Sequence, residues 1–377
     1  MKYRVLNPLV PLSIVVLGMA ACGGGNEGGT TPHLTSTISV QTPAASFLFD
    51  IGYVDQSQGK YYLADVSNNA IDVVDVNKNQ LISQFKPGFA GFSGSVATAG
   101  PEGVVGIPGT NQLYVADVNS VKLLDVSNGQ LLKNIPIATS GLRTDSLCFD
   151  PDDSLIMATN PADSPPFATF ISTASQTVVA TLSFPDSAGL EQCQYDKVTR
   201  SFLLNNDGTP ANAHGEMDVI PLNSVLAGTP QNSKAYPLPA CNPNGLALGP
   251  NNDVLVACTP DTGSPLISLI LDRATGALLS TIPFGGADQV AYDSVTNRYF
   301  IPAYLDQTNG LAGPSSSATP TLGVVDATSR SVIAQVAMGH SSHSIAIHGA
   351  SHQIYLPFAG SGSGTFSSNG IAVFSTQ

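Results

Sequence analysis

The sequence predicts an all-β chain, on three observations. Gly and Pro are abundant, at 36 and 27 of 377 residues, while charged residues make up only 11%. Apolar residues gather in short runs of Val, Ile, Leu and Tyr bounded by Gly, Pro, Asn and Asp, the pattern of short strands joined by tight turns. Beyond roughly the first 20 residues, no stretch keeps the 3.6-residue periodicity that a helix needs. Almost no helix is expected.

Internal repetition turns strands into an architecture. Tyr62-Leu63-Ala64-Asp65, Tyr114-Val115-Ala116-Asp117, Ile156-Met157-Ala158-Thr159, Phe202-Leu203-Leu204-Asn205, Leu255-Val256-Ala257-Cys258, Phe300-Ile301-Pro302-Ala303 and Tyr355-Leu356-Pro357-Phe358 recur about every 40 to 55 residues, near the repeat length of propellers. A second apolar strand follows most of them, as in Val73-Val74-Asp75 and Val324-Val325-Asp326, and then a third, as in Leu81-Ile82-Ser83 and Leu278-Leu279-Ser280. Another short strand precedes each, for example Gln289-Val290-Ala291-Tyr292. Four strands per unit make a blade, and seven units predict a seven-bladed β-propeller over residues 36–377. The strands are lettered A, innermost, to D, outermost.

The last unit lacks a fourth strand before the chain stops at Gln377, while residues 37–40 form a spare alternating strand at the other end. That strand is expected to complete the last blade, because an open ring leaves backbone groups and inter-blade apolar faces uncovered.

These units resemble the YVTN family of propeller repeats. The likeness rests on Pro101-x-Gly103, Tyr114-Val115-Ala116-Asp117, residues 121–125 and Gly129-Gln130-Leu131. It covers roughly residues 37–377 and is sharp in units 1, 2, 5 and 6. Units 3 and 4 depart from it, with weak third strands at Phe170-Ile171-Ser172 and Met217-Asp218-Val219-Ile220. The absence of Trp argues against a WD40 assignment.

At the N-terminus, Lys2 and Arg4 precede an apolar stretch over residues 9–19, then Met19-Ala20-Ala21-Cys22 and a Gly-rich run. The apolar stretch is too short to span a bilayer and reads as a signal peptide, residues 1–21. The small residues before the cysteine resemble the lipobox of bacterial lipoproteins, with Met19 where Leu is usual. That resemblance implies lipidation at Cys22, a flexible tether over residues 22–35, and anchoring in the cell envelope. Gly23 after the cysteine favours the outer membrane by the same resemblance. Plain secretory cleavage is the alternative. Four cysteines then remain, an even number in an oxidising compartment. Repeat alignment favours Cys148 with Cys193 and Cys241 with Cys258, four free buried thiols being the alternative.

The net charge of −13 becomes −15 once Lys2 and Arg4 are removed. Such acidity argues against nucleic acid as a partner, since phosphate binding needs Lys and Arg.

Aligning the units on strand B and reading back to the start of strand A selects one residue per blade: Asp50, Glu102, Asp145, Glu191, Asn244, Asp288 and His343. Glu102 and Asn244 anchor the register, each being the middle residue of a Pro-x-Gly. These side chains are expected to ring the axial channel and, being mostly carboxylates, to repel unless a cation such as Ca²⁺ lies among them. Solvated acids at a wide mouth are the plainer reading. Antiparallel pairing places the long B to C loops, residues 160–166, 207–216, 260–265, 306–320 and 359–368, at the same end. His214 lies in one of them, and His340 lies near unit 7. His348 and His352 are expected to flank the far A to B turn as surface residues.

No phosphate loop, HExxH or CxxC occurs. The expectation is a non-catalytic module holding a protein, glycan or small ligand on the loop face, with the membrane reached through Cys22. The alternative is a metal-dependent hydrolase or lyase, lactonase-like by resemblance to other propellers, in which His343 or Glu191 moves a proton.

Overall fold

The computed structural model describes residues 31–43 and 47–377. The predicted signal peptide, Cys22 and most of the tether lie outside the described residues. Seven four-stranded antiparallel sheets follow one another as blades of a β-propeller. In blade 1, strands A to D are Gly52–Asp55, Lys60–Asp65, Ala70–Asp75 and Gln80–Phe85. Blades 3 and 4 have full third strands, Phe167–Ser172 and Glu216–Pro221, and the only α-helix among the described residues is Leu222–Leu226.

Blade 7 takes three strands from the end of the chain, Ala346–His348, Gln353–Phe358 and Gly370–Ser375, and its outermost strand from the start, His33–Ser39. Ile38 faces Ile371 and His33 faces Ser375 in that antiparallel pair. The strand begins earlier than the expected residue 37 and takes up the last part of the expected tether. Leu34 reaches the apolar seam between blades 6 and 7, and Thr35 Oγ1 donates to the Val373 carbonyl at 2.9 Å.

The core is divided among the blade seams. Seven apolar clusters are each built from two neighbouring blades. Strand B of every blade is almost wholly buried because both its faces meet other blades. At the closing seam, Tyr61 of blade 1 stacks on Tyr355 of blade 7 at 4.9 Å, and the Tyr355 hydroxyl donates to Asn79 Oδ1 at 2.9 Å.

A to B and C to D turns lie together at one end of the ring, the turn face. Aspartates there cap exposed amides: Asp55 accepts from the N–H of Ser57 and Gln58, and Asp272 from that of Ala274 and Thr275. Arginines link consecutive blades, as Arg200 to Asp153 at 2.9 Å, Arg273 to Asp196 at 3.0 Å and Arg330 to Asp253 at 2.7 Å. Disulfides join Cys148 to Cys193, across the inner strands of blades 3 and 4, and Cys241 to Cys258, within blade 5.

His348 and His352 do flank the A to B turn of blade 7, residues 349–351, yet the surface reading of them is wrong. His348 is only 7% exposed, with Nδ1 2.7 Å from Ser351 Oγ. His352 is half-buried, with Nδ1 3.7 Å from Asp293 of blade 6. For His348 a contact with the turn of its own blade, and for His352 the approach to Asp293 of blade 6, accompany this burial.

Candidate functional site at the mouth of the ring

At the opposite end, the mouth, the inner strands of adjacent blades come close enough to bond directly. The Gly103 N–H donates to the Asp145 carbonyl at 3.1 Å and the Gln289 N–H to the His343 carbonyl at 3.0 Å. The glycine of each Pro-x-Gly is what permits this. A Cβ on Gly103 would lie 2.1 Å from the Asp145 carbonyl oxygen, and one on Gly245 would lie 2.0 Å from that of Asp288.

Six of the seven aligned residues, Asp50, Glu102, Asp145, Glu191, Asp288 and His343, line one axial cavity of about 380 Å³. Asn244 does not. It faces an adjoining hollow with Glu191, Asp207, His214 and Asp261, and its Oδ1 accepts from Thr259 Oγ1 at 2.6 Å. The register of blade 5 shifts between Pro243 and Leu246, but that of blade 4 shifts likewise around Glu191, which lines the cavity; what sets Asn244 apart is its hydrogen bond to Thr259.

Asp50, Asp288 and His343 form the tightest group, each offering one ligand atom within 4.8 Å of the others. His343 Nδ1 lies 2.8 Å from the Ser341 carbonyl. A carbonyl only accepts, so Nδ1 carries a proton, and Nε2 is the ring nitrogen left to bind a metal or to carry a second proton. That Nε2 lies 3.8 Å from Asp50 Oδ1. Phe49 stacks on the imidazole at 4.7 Å and Tyr304 meets it edge-on at 5.7 Å, which fixes the ring plane.

The other carboxyls crowd around one cation. Glu102 is 3% exposed; burial, then Asp50 and Asp145, hold its carboxyl well above the usual range. Burial pushes Asp145 up to about 6, although Arg143 lies 2.7 Å away and opposes the rise. Asp288 is pushed up to about 7 by burial, which outweighs the His343 contribution in the other direction. Glu191 is raised by burial and then by Asp207, Asp288 and Asp145.

Arg143, Tyr304, Phe49, Phe92 and Val96 also line the cavity, and sequence reasoning missed them. Arg143 stood two residues before a selected position. Phe92 and Val96 come from the long D to A link between blades 1 and 2, which antiparallel pairing puts at the same end as the B to C loops. Phe92 is 47% exposed and Val96 62%, and they give the acidic cavity an apolar lip. Of the expected rim loops, those of blades 5 and 6 are tied together: the Gly263 N–H donates to the Ala312 carbonyl at 2.8 Å and the Leu266 N–H to that of Gly310 at 2.9 Å. His340 lies in a neighbouring hollow with His343 and Tyr304.

No protein-family model matches the sequence, and no curated protein matches it. Solved structures do. The WD40 domain of Pan2 from Neurospora crassa superposes with a TM-score of 0.64 at 10% identity, over 92% of this chain and 96% of that one. Hydrazine synthase of Kuenenia stuttgartiensis gives 0.54 at 16% identity, over 77% and 83%. Identity this low speaks for fold alone, and the fold is a seven-bladed β-propeller.

Proposed function

We propose that this propeller is a YVTN-type, cell-envelope lipoprotein anchored through Cys22, and that its mouth binds a small ligand around a divalent cation held by Asp50, Asp288 and His343. The observation that carries this reading is the donor geometry. Two carboxylates and an imidazole converge, and the ring nitrogen not bonded to Ser341 is the one beside Asp50. An imidazole whose other nitrogen is tied to a carbonyl is the usual arrangement of a histidine ligand. The 4.8 Å spread suits the longer bonds of Ca²⁺, whereas the imidazole favours Zn²⁺ or Mn²⁺. The cavity volume falls in the range of small-molecule sites, and the lip of Phe92 and Val96 suits a ligand with an apolar body.

Metal analysis of the purified full-length chain, followed by calorimetric titration with Ca²⁺, Zn²⁺ and Mn²⁺, tests the reading. Saturable binding of at least one ion is expected, weakened at least about tenfold by Asp288→Asn together with His343→Ala, on the scale of losing ligands or their support. Absence of binding by all three ions overturns it.

A hydrolase or lyase is the second reading, favoured by one feature. The raised Glu191 carboxyl faces the same cavity and is suited to donate a proton. With Nδ1 on Ser341, His343 has one nitrogen left, so it serves as ligand or proton carrier but not both. Metal-dependent turnover of a lactone or ester panel that is lost in Glu191→Gln would establish this reading.

A further inference from the structure

The outer strands carry a repeated irregularity that neither the mouth nor the core uses. In blade 1, Val73 faces Ser83 and Val74 faces Leu81, which leaves Ile82 without an opposite residue. The same one-residue bulge leaves over Leu132, Val179, Leu279 and Ile333 in blades 2, 3, 5 and 6. All five are aliphatic, and they are 48%, 52%, 46%, 38% and 37% exposed in that order. The bulge has a reason of its own, since it blunts an edge strand against pairing with another sheet. A charged side chain serves that purpose better, so the aliphatic choice needs a separate cause. Each of the five closely follows the C to D turn, at the turn-face rim. Val198 and Val295, in A to B turns, expose further apolar surface at that end.

Two independent observations indicate what covers the rim. His33 faces Ser375, so the outer strand of blade 7 begins at the turn face. Cys22 lies 11 residues before His33, a reach of at most about 40 Å. Charge is also divided between the ends. Beyond Cys22, every Lys and Arg except Lys86, Lys122, Lys133 and Arg143 lies in or beside the turns of the turn face, eight bases that offset most of the eleven aspartates there, whereas the carboxyls at the mouth have only Arg143 in their cavity. A bilayer containing anionic lipid repels the mouth more strongly than the turn face.

We propose that the turn-face rim rests on the bilayer that holds the chain's own lipid anchor. Ile82, Leu132, Val179, Leu279 and Ile333 sit in the headgroup boundary, and the mouth opens away from the membrane. The orientation rests on the reading of Cys22 as the anchor.

The chain contains no Trp, so one introduced Trp reports only its own position. Leu132→Trp, Val179→Trp and Ile333→Trp probe the rim, and Phe92→Trp and Leu311→Trp probe the mouth. Each full-length lipidated variant is reconstituted on phosphatidylethanolamine and phosphatidylglycerol vesicles, with or without brominated acyl chains, and flotation and emission are read together. All variants are expected to float; rim tryptophans shift to the blue and lose about twofold in intensity to brominated lipid, as for side chains at the acyl boundary, and mouth tryptophans do neither. Floating chains with unquenched rim tryptophans, or with quenched mouth tryptophans, overturn the orientation while leaving the anchor intact. A wild-type chain that does not float, or a Cys22→Ser chain that floats equally well, overturns the anchor and the orientation with it. A blue shift without vesicles that grows with protein concentration assigns the rim to a second copy of the chain and also overturns the proposal.

Discussion

The two ends of the ring treat their acidic residues in opposite ways. On the turn face most aspartates have donors close by: Asp55 and Asp272 cap turn amides, and Asp196 and Asp253 meet arginines from the next blade. At the mouth, Asp50, Glu102, Asp145, Glu191 and Asp288 gather around Arg143 as the cation within their cavity. The first arrangement holds blades together. The second is held in place by them, at a cost in stability that Arg143 offsets only in part, which is how functional sites commonly differ from scaffold.

The comparison can be broken most severely at the closing seam. Removing residues 33–39 leaves blade 7 with three strands and uncovers apolar surface on Ile371 and Val373; circular dichroism and thermal melts are expected to show loss of the cooperative fold. Next comes Arg273→Ala, which strands Asp196 in a site where both side chains are almost fully buried. Urea unfolding is expected to lose about 3 kcal/mol or more, as for a broken buried pair. Arg200→Ala, at an exposed pair, should change stability by less than about 1 kcal/mol.

A pH effect separates the strained acids from the paired ones. Asp218 in blade 4 accepts from Asn206 and Asn232, yet burial pushes its carboxyl up to about 7. The folded state then binds its proton more tightly than the unfolded chain does. Its contribution is fully present below about pH 4 and is lost as pH rises to about 7, the reverse of a salt-bridged aspartate. Melting temperature against pH should decline less over that interval in Asp218→Asn. The smallest effect sharpens the contrast by its sign. Glu102→Gln removes one buried like charge from the mouth and is expected to raise stability at neutral pH by about 1 kcal/mol, whereas Arg273→Ala at the other end lowers it.

The repeating tetrads made the blades legible, because a strand covered on both faces must be a short apolar run wherever it occurs. The mouth positions were legible through the Pro-x-Gly pairs, whose glycines are required by the contacts at Gly103 and Gly245. Asn244, itself the middle residue of a Pro-x-Gly, turns to Thr259 in the adjoining hollow, a contact that repetition does not reveal. Polarity misled for His348, which is buried beside Ser351 of the adjoining turn. Arg143 and Tyr304 enter the cavity from blades 3 and 6 at positions where no other unit carries Arg or Tyr, so an argument from repetition passes over them.

The pairing of His33–Ser39 with Gly370–Ser375 also sets an order of events in time. His33–Ser39 is synthesised long before the strand it pairs with, and it waits while blades 1 to 6 are made. Until Gly370–Ser375 has emerged the ring has no means of closing, so the blades already made hold together only through their own seams.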